Sequence, residues 1–407
     1  MPFPRMILFP LRLARLLLAG GLLLLPTRAA AQLPAEQHLD DATCGASLVV
    51  LGELPSHGEL KAFQLKAALA QRLVERCGVT ALVFEAPIYD FLGFQQAVAA
   101  GTATQGQLDN AIGRFWMAEE LAPWRAWLFQ QAVARKLVIG GMDDQVSVTS
   151  EYARARLPEL VGAALGHARA TECEQAADRH LFWRYTDSLP FDGAEQRRLA
   201  ACARGAADAW AAQVGRDRGM MELAMLQSFA GYAERQQEGW TGADRDEAMH
   251  RNLRWQLGQL PAATRAVVWT ATVHAARAQG ERPAPPLGFR LEEDYGGHRV
   301  GLRSTVEAAP GSLAGRMVSV GFTALGGQSS MAGRPARALA PLPEGSLEAR
   351  ALREDGDVVV LGPAALARLG PLPSRLLGGV TTQAWGEFFD LVVVIRDEAA
   401  PTFPPRR

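Results

Sequence analysis

The fold class can be predicted from one short segment, Ser47-Leu-Val-Val-Leu-Gly-Glu53. Its apolar residues run on without alternation and stop at Gly-Glu, which is typical of a strand buried on both faces. Apolar side chains then recur every three or four residues, at positions 60, 63, 67, 70 and 74, and a second apolar run follows at 81–84. Because this spacing indicates an amphipathic helix, the order strand, helix, strand predicts a parallel pair of strands.

The alternation of short apolar runs and helical stretches continues along most of the chain. Further runs stand at 136–139, 265–270, 317–322, 358–361 and 391–395. We therefore predict an α/β fold, with a predominantly parallel sheet flanked by helices. Residues 150–258 interrupt this pattern, because they are rich in Ala, Arg, Glu and Gln and contain no convincing strand. They predict a helical insertion, which we expect to form a lid over the strand ends.

The N-terminal 31 residues have the pattern of a secretory signal peptide. Three arginines, at positions 5, 12 and 15, come before or at the start of an apolar segment at 16–25, and small residues end at Ala31. This apolar segment is too short for a membrane span, which needs about 20 residues. We therefore predict cleavage near Ala31, a periplasmic or secreted protein, one α/β domain at 32–400 and a frayed tail at 401–407.

The composition is that of an ordinary globular protein. Of the 407 residues, 48% are apolar and 21% are charged, and the formal net charge is −1. These values exclude the disordered, fibrous and coiled-coil classes. Without the basic signal peptide the chain would be mildly acidic, and an acidic protein is a poor partner for nucleic acid or an anionic membrane. We expect a monomer that binds a small-molecule substrate, with no nucleic acid and no membrane contact after cleavage.

The four cysteines, at positions 44, 77, 173 and 202, are expected to form disulfides. None lies in a Cys-x-x-Cys motif, which argues against zinc-ribbon and thioredoxin-like sites. Cys44 and Cys77 each precede a predicted strand, so adjacent strands would bring them together. Cys173 and Cys202 lie on two helical stretches that would pair as a hairpin. Of the three connectivities we favour 44–77 and 173–202, with buried free thiols as the alternative.

Polar residues that can perform chemistry follow four of the predicted strands. They are Glu53, His57 and Glu59 after the first run, Glu85 after the second, Asp143 after the third and His274 after the fourth. The carboxyl ends of parallel strands meet at one edge of a sheet, where open α/β folds bind their ligands. A His beside carboxylates suits the activation of water, and the same side chains also suit a divalent metal. The spacing leaves both interpretations open.

Motifs of several common enzyme classes are missing from the sequence. It contains no Gly-x-Ser-x-Gly, no His-Glu-x-x-His, no P-loop and no Gly-x-Gly-x-x-Gly. The pair Ser329-Ser330 stands in a Gly-rich loop without the context of a catalytic triad. A serine esterase is therefore disfavoured.

The order of the remaining motifs resembles the erythromycin esterase family. Residues 51–59 (LGELPSHGE), 63–66 (FQLK) and 83–86 (VFEA) are similar to its Gly-Glu, His-Gly, amphipathic helix and Phe-Glu motifs. Its later motifs are matched in the same order at 115–124, 141–145 (GMDDQ), 245–255, 267–274 (VVWTATVH) and 389–395. The resemblance covers about residues 47–400 and identifies the chain as a divergent, exported member.

The resemblance implies a hydrolase in which a His activates water to attack an ester or lactone, a macrolide among them. In catalysis His57 would be the general base, Glu53 or Glu59 would orient it, and Glu85 would position the base or the water. Arg245 and His274 would face the carbonyl or its oxyanion. The matched motifs imply substrate contacts by Trp116, Glu119, Asp143 and Asn252. No cofactor is implied, and a divalent metal is the open alternative.

Three positions depart from the family pattern. Glu53 and His57 are separated by three residues where the family usually has two, Lys61 replaces a common Glu, and Ala271-Thr272 replaces a His-Asn pair. Two other functions therefore stay in competition. One is a metal-dependent hydrolase or peptidase with Glu53, His57, Glu85 and His274 as ligands. The other is a non-catalytic protein that binds a hydrophobic or tetrapyrrole ligand.

Overall fold

The central sheet that the sequence predicts is present. A computed structural model describes residues 34–147, 149–166, 169–213, 219–238, 242–295, 316–353 and 356–404, so the predicted signal peptide at 1–31 lies outside the described residues. The strands are β1 (Leu48–Glu53), β2 (Val79–Pro87), β3 (Val138–Asp143), β4 (Arg265–Ala271), β5 (Met317–Ser329), β6 (Arg337–Ala338), β7 (Val358–Leu361), β8 (Leu372–Leu377), β9 (Gly379–Gln383) and β10 (Leu391–Glu398).

The sheet is mostly parallel, in the order β3-β2-β4-β1-β5-β10-β7. All neighbours along this path pair in parallel except β7, which runs antiparallel to β10 at the edge. β6 pairs with the end of β5, and β8 and β9 form a separate antiparallel hairpin. These short additions were not predicted, whereas the seven runs of the main path were. The α/β fold class is thus confirmed.

Helices cover both faces of the sheet. They are α1 (Pro34–Thr43), α2 (Leu60–Cys77), α3 (Ile88–Ala100), α4 (Gln105–Ile112), α5 (Ala122–Val133), α6 (Glu151–Leu165), α7 (Ala170–Leu181), α8 (Gly193–Gln213), α9 (Met220–Glu238), α10 (Gly242–Gly258), α11 (Thr272–Ala275), α12 (Leu287–Asp294), α13 (Leu347–Ala351), α14 (Pro363–Leu369) and α15 (Trp385–Phe388). Two short 3₁₀ turns, Arg114–Trp116 and Glu119–Leu121, precede α5.

Alternate residues of the central strand feed two hydrophobic layers. Val49 and Leu51 pack in the layer that contains Phe63 of α2, while Leu48 and Val50 pack in the layer of Met249 on α10. This two-sided burial is the reason why β1 is apolar without alternation.

The segment predicted as a helical insertion is helical where it is described. Between β3 and β4 the regular elements of the described residues are the helices α6 to α10, with one isolated bridge between Thr186 and Leu189. Helices α6 to α9 pack around a third apolar cluster, which includes Leu157, Cys173 and Phe229. The cluster also contains Ile88, Tyr89 and Leu92 of α3, so the insertion packs against α3 through apolar side chains.

Both expected disulfides are present, at Cys44–Cys77 and Cys173–Cys202. The first joins the approach to β1 with the end of α2, and the second joins α7 to α8. No helix of the described chain is long and apolar enough to cross a membrane.

The C-terminal tail differs from the expectation that it frays from residue 401. The backbone N–H of Glu119 donates to the carbonyl of Thr402 (2.8 Å), and the N–H of Thr402 donates to the carboxylate of Glu120 (3.1 Å). Backbone hydrogen bonds thus hold the tail as far as Thr402, and residues 405–407 lie outside the described part.

Candidate active site

The register of the sheet aligns the ends of the strands that carry the predicted chemistry. Glu53 of β1 pairs with Ala271 of β4, and Phe84 of β2 pairs with Trp269 of β4. At this edge a cleft of about 450 Å³ opens. It is lined by Pro55, His57, Glu85, Arg245, Asp246, Ala271, Val273, His274, Arg282, Pro283 and Ala284. Four of the residues predicted for catalysis therefore share one cavity.

Gly52 allows helix α11 to approach the end of β1. A Cβ at Gly52 would lie 2.7 Å from the Cα of Thr272 and 2.8 Å from the Cβ of Ala275. Only a residue without a side chain lets α11 start directly above the end of β1. This close approach brings His274 to the strand that leads to His57.

Glu53 orients the ring of His57. The Glu53 side chain is fully buried, and its Oε1 accepts hydrogen bonds from His57 Nδ1 (2.8 Å) and Trp116 Nε1 (2.8 Å). Its Oε2 contacts the ammonium of Lys66. Because an ionised carboxylate can only accept hydrogen bonds, we assign the His57 proton to Nδ1, which leaves Nε2 as an acceptor.

His57 itself is neutral near pH 7. Burial lowers the pKa of its imidazole from the usual value of 6.5, and Arg245 and His274 act in the same direction, against the opposing carboxylates Glu85 and Glu59. Its Nε2 lies 4.0 Å from Glu85 Oε1. The ring packs against Phe115, at a centroid distance of 5.0 Å. A neutral, oriented imidazole with a free nitrogen has the properties of a general base.

Glu85 is held ionised at the centre of the cleft. Its Oε2 accepts hydrogen bonds from Thr270 Oγ1 (2.7 Å) and the N–H of Ala271 (2.8 Å). Its Oε1 meets Arg245 Nη2 (2.9 Å) and His274 Nε2 (3.2 Å). Burial alone would raise the pKa of Glu85, but the positive charges of His274 and Arg245 outweigh it and hold the pKa well below 4.5.

His274 carries a positive charge at neutral pH. Its Nδ1 lies 2.7 Å from Asp246 Oδ1, and its Nε2 lies 3.2 Å from both Glu85 Oε1 and Arg245 Nη1. Burial works to lower its pKa, yet the carboxylates Glu85 and Asp246 raise it to about 9. Nε2–H therefore donates to Glu85, and the contact with the arginine is not a hydrogen bond. An imidazolium cannot act as a base, but it can stabilise an anion.

Helix α10 positions the two charged neighbours of His274. Arg245 Nη2 donates to Asp143 Oδ2 (2.7 Å) as well as to Glu85, so its guanidinium bridges the ends of β2 and β3. Asp246 accepts the N–H of Leu287 (2.9 Å), which ties it to the start of α12. Arg245 and His274 thus provide two fixed positive charges in the cleft.

Glu59 does not orient His57, although the sequence left it as an alternative to Glu53. Its carboxylate accepts hydrogen bonds from the Ser56 hydroxyl and from the N–H of Gly58 (3.0 Å). Burial raises the pKa of Glu59 to about 7, against the hydrogen bond from Ser56. Glu59 therefore supports the turn that carries His57, and Glu53 binds the ring.

Two residues predicted to contact the substrate lie against the residues that line the cleft or orient them. Trp116 is buried and donates to Glu53, and Asp143 is buried beside Arg245. Both lie among the neighbours of catalytic candidates and outside the lining of the cleft. Their polar atoms bind protein groups, and a contact with the substrate stays a prediction for both.

Two other predicted substrate contacts lie away from the cleft. Asn252 is buried, donates to the carbonyl of Met142 (3.0 Å) and accepts from the hydroxyl of Ser228 (2.9 Å). Glu119 is exposed on the 3₁₀ turn that binds the C-terminal tail. Asn252 therefore fastens α10 to β3 and α9, and neither residue lines the cavity.

Lys66 is the main site residue that sequence reasoning missed. It is fully buried, and its ammonium contacts Glu53 and the carbonyl of Thr270 (3.2 Å). A signal was present, because Lys66 stands three residues after Phe63 on the apolar face of α2. A charged residue on a buried face needs a partner of opposite charge, and in the structure that partner is Glu53.

The four proposed metal ligands do not form a common donor set. Glu53 is fully engaged by His57, Trp116 and Lys66, and Arg245 occupies the free side of Glu85. In the described part of the chain, no group of three or more His, Cys, Asp or Glu side chains is arranged to hold a metal ion. The residues present therefore do not fit the metal site that the sequence left open.

Comparisons with known proteins identify relatives of the fold only. No protein-family model matches the sequence, and no curated protein sequence matches it. Among solved structures, a succinoglycan biosynthesis protein is similar with a TM-score of 0.66 at 14% identity, over 90% of this chain and 92% of the other. A protein from Bacillus cereus has a TM-score of 0.64 at 18% identity, over 91% and 94%.

A third solved structure is a mutant erythromycin esterase in its open conformation. It has a TM-score of 0.60 at 14% identity, over 90% of this chain and 94% of that one. The likeness extends over nearly the whole length of both chains, although few residues are shared. The chain therefore has the fold of an erythromycin esterase.

Proposed function

We propose that the protein is an exported hydrolase that cleaves ester or lactone bonds with a water molecule activated by His57. One observation carries the proposal: a neutral His57, oriented by buried Glu53, presents its free Nε2 to the charged cluster of Glu85, Arg245 and His274. A general base opposite two fixed cations is the arrangement that water attack on a carbonyl requires.

The mechanism follows from the positions of the charges. A water molecule between His57 Nε2 and Glu85 Oε1, which are 4.0 Å apart, can hydrogen-bond to both. His57 takes a proton from this water as its oxygen attacks the carbonyl carbon, and Glu53 stabilises the imidazolium that forms. Arg245 and His274 stabilise the oxyanion of the tetrahedral intermediate. His57 then returns the proton to the leaving alcohol.

The walls of the cleft support a substrate with an apolar body. Pro55, Val273, Pro283 and Ala284 contribute apolar lining beside the charged cluster. The fold shared with an erythromycin esterase makes a macrolide-like lactone one member of the proposed substrate class. Of the predicted insertion at 150–258, helix α10 contributes Arg245 and Asp246 to the lining of the cleft, and we propose that the insertion acts as a lid through this helix.

Export is proposed from the signal-like segment at 1–31 together with the disulfides Cys44–Cys77 and Cys173–Cys202. Disulfides of this kind persist in oxidising compartments. The mass of the N-terminal peptide of protein recovered from the periplasm or medium checks cleavage near Ala31. An intact Met1 on the recovered protein would contradict the proposal.

A panel of esters and lactones, macrolides included, tests the hydrolytic proposal directly. We expect turnover of at least one member, unchanged after dialysis against a chelator, because Arg245 and His274 supply the positive charge of the site. Loss of turnover on chelation, with recovery on metal addition, would favour the metal-dependent alternative. Binding of panel members without turnover would favour a non-catalytic binding protein.

The rate should depend on pH in a bell-shaped manner. kcat/KM is expected to rise with pH as His57 loses its proton, with a midpoint below the usual 6.5 because burial lowers the pKa of His57. It is expected to fall as pH passes about 9, where His274 loses the charge that stabilises the oxyanion. Measurement across about pH 4 to 10 reports both groups. The variant His274→Asn should be slower and lack the alkaline fall; an unchanged profile in that variant contradicts the assignment.

A further inference from the structure

Lys66 is a buried residue that connects Glu53, the partner of His57, with Thr270, the partner of Glu85. Its ammonium contacts Glu53 at the end of β1 and the carbonyl of Thr270 in β4, and it lies 4.2 Å above the ring of Trp269. The hydroxyl of the same Thr270 donates to Glu85. A chain of contacts therefore runs from His57 through Glu53, Lys66 and Thr270 to Glu85.

The charged groups around His57 determine whether its ring is protonated. The groups that face the ring are Glu53 from β1, Glu85 from β2, Glu59 from the start of α2, Arg245 from α10 and His274 from α11. Glu53 is in direct contact with the ring, at 2.8 Å. A carboxylate at this distance, without a compensating cation, favours an imidazolium by about 1–3 pK units.

Lys66 provides that compensation. Burial lowers the pKa of Lys66, and the Glu85 carboxylate acts in the opposite direction. Wherever the shared proton lies, the pair of Lys66 and Glu53 has no net charge. Glu53 can then accept the Nδ1–H bond of His57 without drawing a further proton to the ring.

We propose that Lys66 is a positioning residue that neutralises Glu53 and so keeps His57 in its free-base form. The role of His57 as a base rests on the proposed function, but its protonation state does not. Without Lys66, Glu53 and His57 would share one proton as a coupled pair up to a higher pH. The free base needed to activate water would then form only at that higher pH.

The test is a titration of the histidine ring nitrogens by NMR in ¹⁵N-histidine-labelled protein, with His57→Gln used to assign the signals. In Lys66→Met, we expect the His57–Glu53 pair to take up its proton about 1–2 pH units higher than in the wild type. In Glu53→Gln/Lys66→Met, the midpoint should return below 6.5, because the carboxylate is gone. The matched control is Lys136→Met. Lys136 is exposed and precedes the start of β3, far from the strand ends that form the cleft, so His57 should titrate in this variant as in the wild type.

Each outcome decides the proposal without requiring a substrate. If Lys66→Met is folded and His57 titrates as in the wild type, Lys66 has only a structural role and the proposal is overturned. The same holds if the double variant keeps the raised midpoint. Should Lys66→Met fail to fold, the proposal requires that removal of the Glu53 charge in the double variant restores folding, with a His57 midpoint below 6.5. A double variant that also fails to fold, or whose midpoint rises, contradicts the proposal. Failure of the ester panel would overturn the proposed hydrolysis and leave this titration intact.

Discussion

Replacement of His57 by Gln is expected to lower kcat/KM by about 10²–10⁴-fold, which is the usual contribution of a general base. Gln retains an amide N–H that can donate to Glu53, so the surroundings of Trp116 and Lys66 are preserved. The amide has no basic nitrogen at the position of Nε2 and cannot take a proton from water. The loss should therefore appear mainly in kcat, measured on the best member of the ester panel.

His250→Gln is the matched control for this experiment. His250 also pairs with a carboxylate, Asp294, through its Nε2 (2.7 Å), but it lies outside the lining of the cleft. The control should keep the wild-type rate. A His57→Gln variant that hydrolyses as fast as His250→Gln would exclude His57 as the base.

Replacement of Arg245 by Met is expected to give the largest loss of stability, about 3–5 kcal/mol. Its guanidinium contacts both Glu85 and Asp143, which are buried, and the variant leaves these carboxylates with one cation fewer. kcat should also fall, by about 10²-fold or more, because an oxyanion donor is lost. Urea unfolding and kinetics on the panel measure the two effects.

The control for this variant lies on the same helix. Arg254 pairs with Asp294 at the surface, so Arg254→Met should change the free energy of unfolding by only about 0–1 kcal/mol. The deficit of Arg245→Met should shrink as the pH falls, since a protonated Glu85 no longer needs the cation that lowers its pKa. Equal stability of the two variants at pH 7 would contradict the account of the Arg245 cluster.

The main sheet could be predicted because its strands are buried on both faces, which makes each of them a continuous apolar run in the sequence. Val49 and Leu51 face one layer and Leu48 and Val50 the other, so both faces must be apolar. The hairpin of β8 and β9 gave no such signal, since the side chains of β9 are mostly exposed. The strand β7 was predicted as a run, but its antiparallel direction depends on the path of the chain after β5.

The candidate site was predicted in outline through the strand ends. His57, Glu85 and His274 meet in the cleft, as expected from the carboxyl edge of a parallel sheet. Arg245, which only the family resemblance implied, reaches the same cleft from α10. The distinction between Glu53 and Glu59 was out of reach, because both lie within four residues of His57. The turn, in which His57 adopts a φ of +49°, directs the ring towards Glu53.

The amino-acid sequence was enough to predict the α/β class, the helical nature of the insertion, a favoured pairing of the four cysteines and the edge of the sheet at which the charged residues gather. These properties follow from local periodicity and chain order. The folded structure was needed to see that Glu53 contacts both His57 and Lys66, and that Trp116 and Asn252 bind protein groups. The physical reason is that a charge or hydrogen bond depends on distances of about 3 Å between residues far apart in the chain, and neither spacing nor composition records those distances.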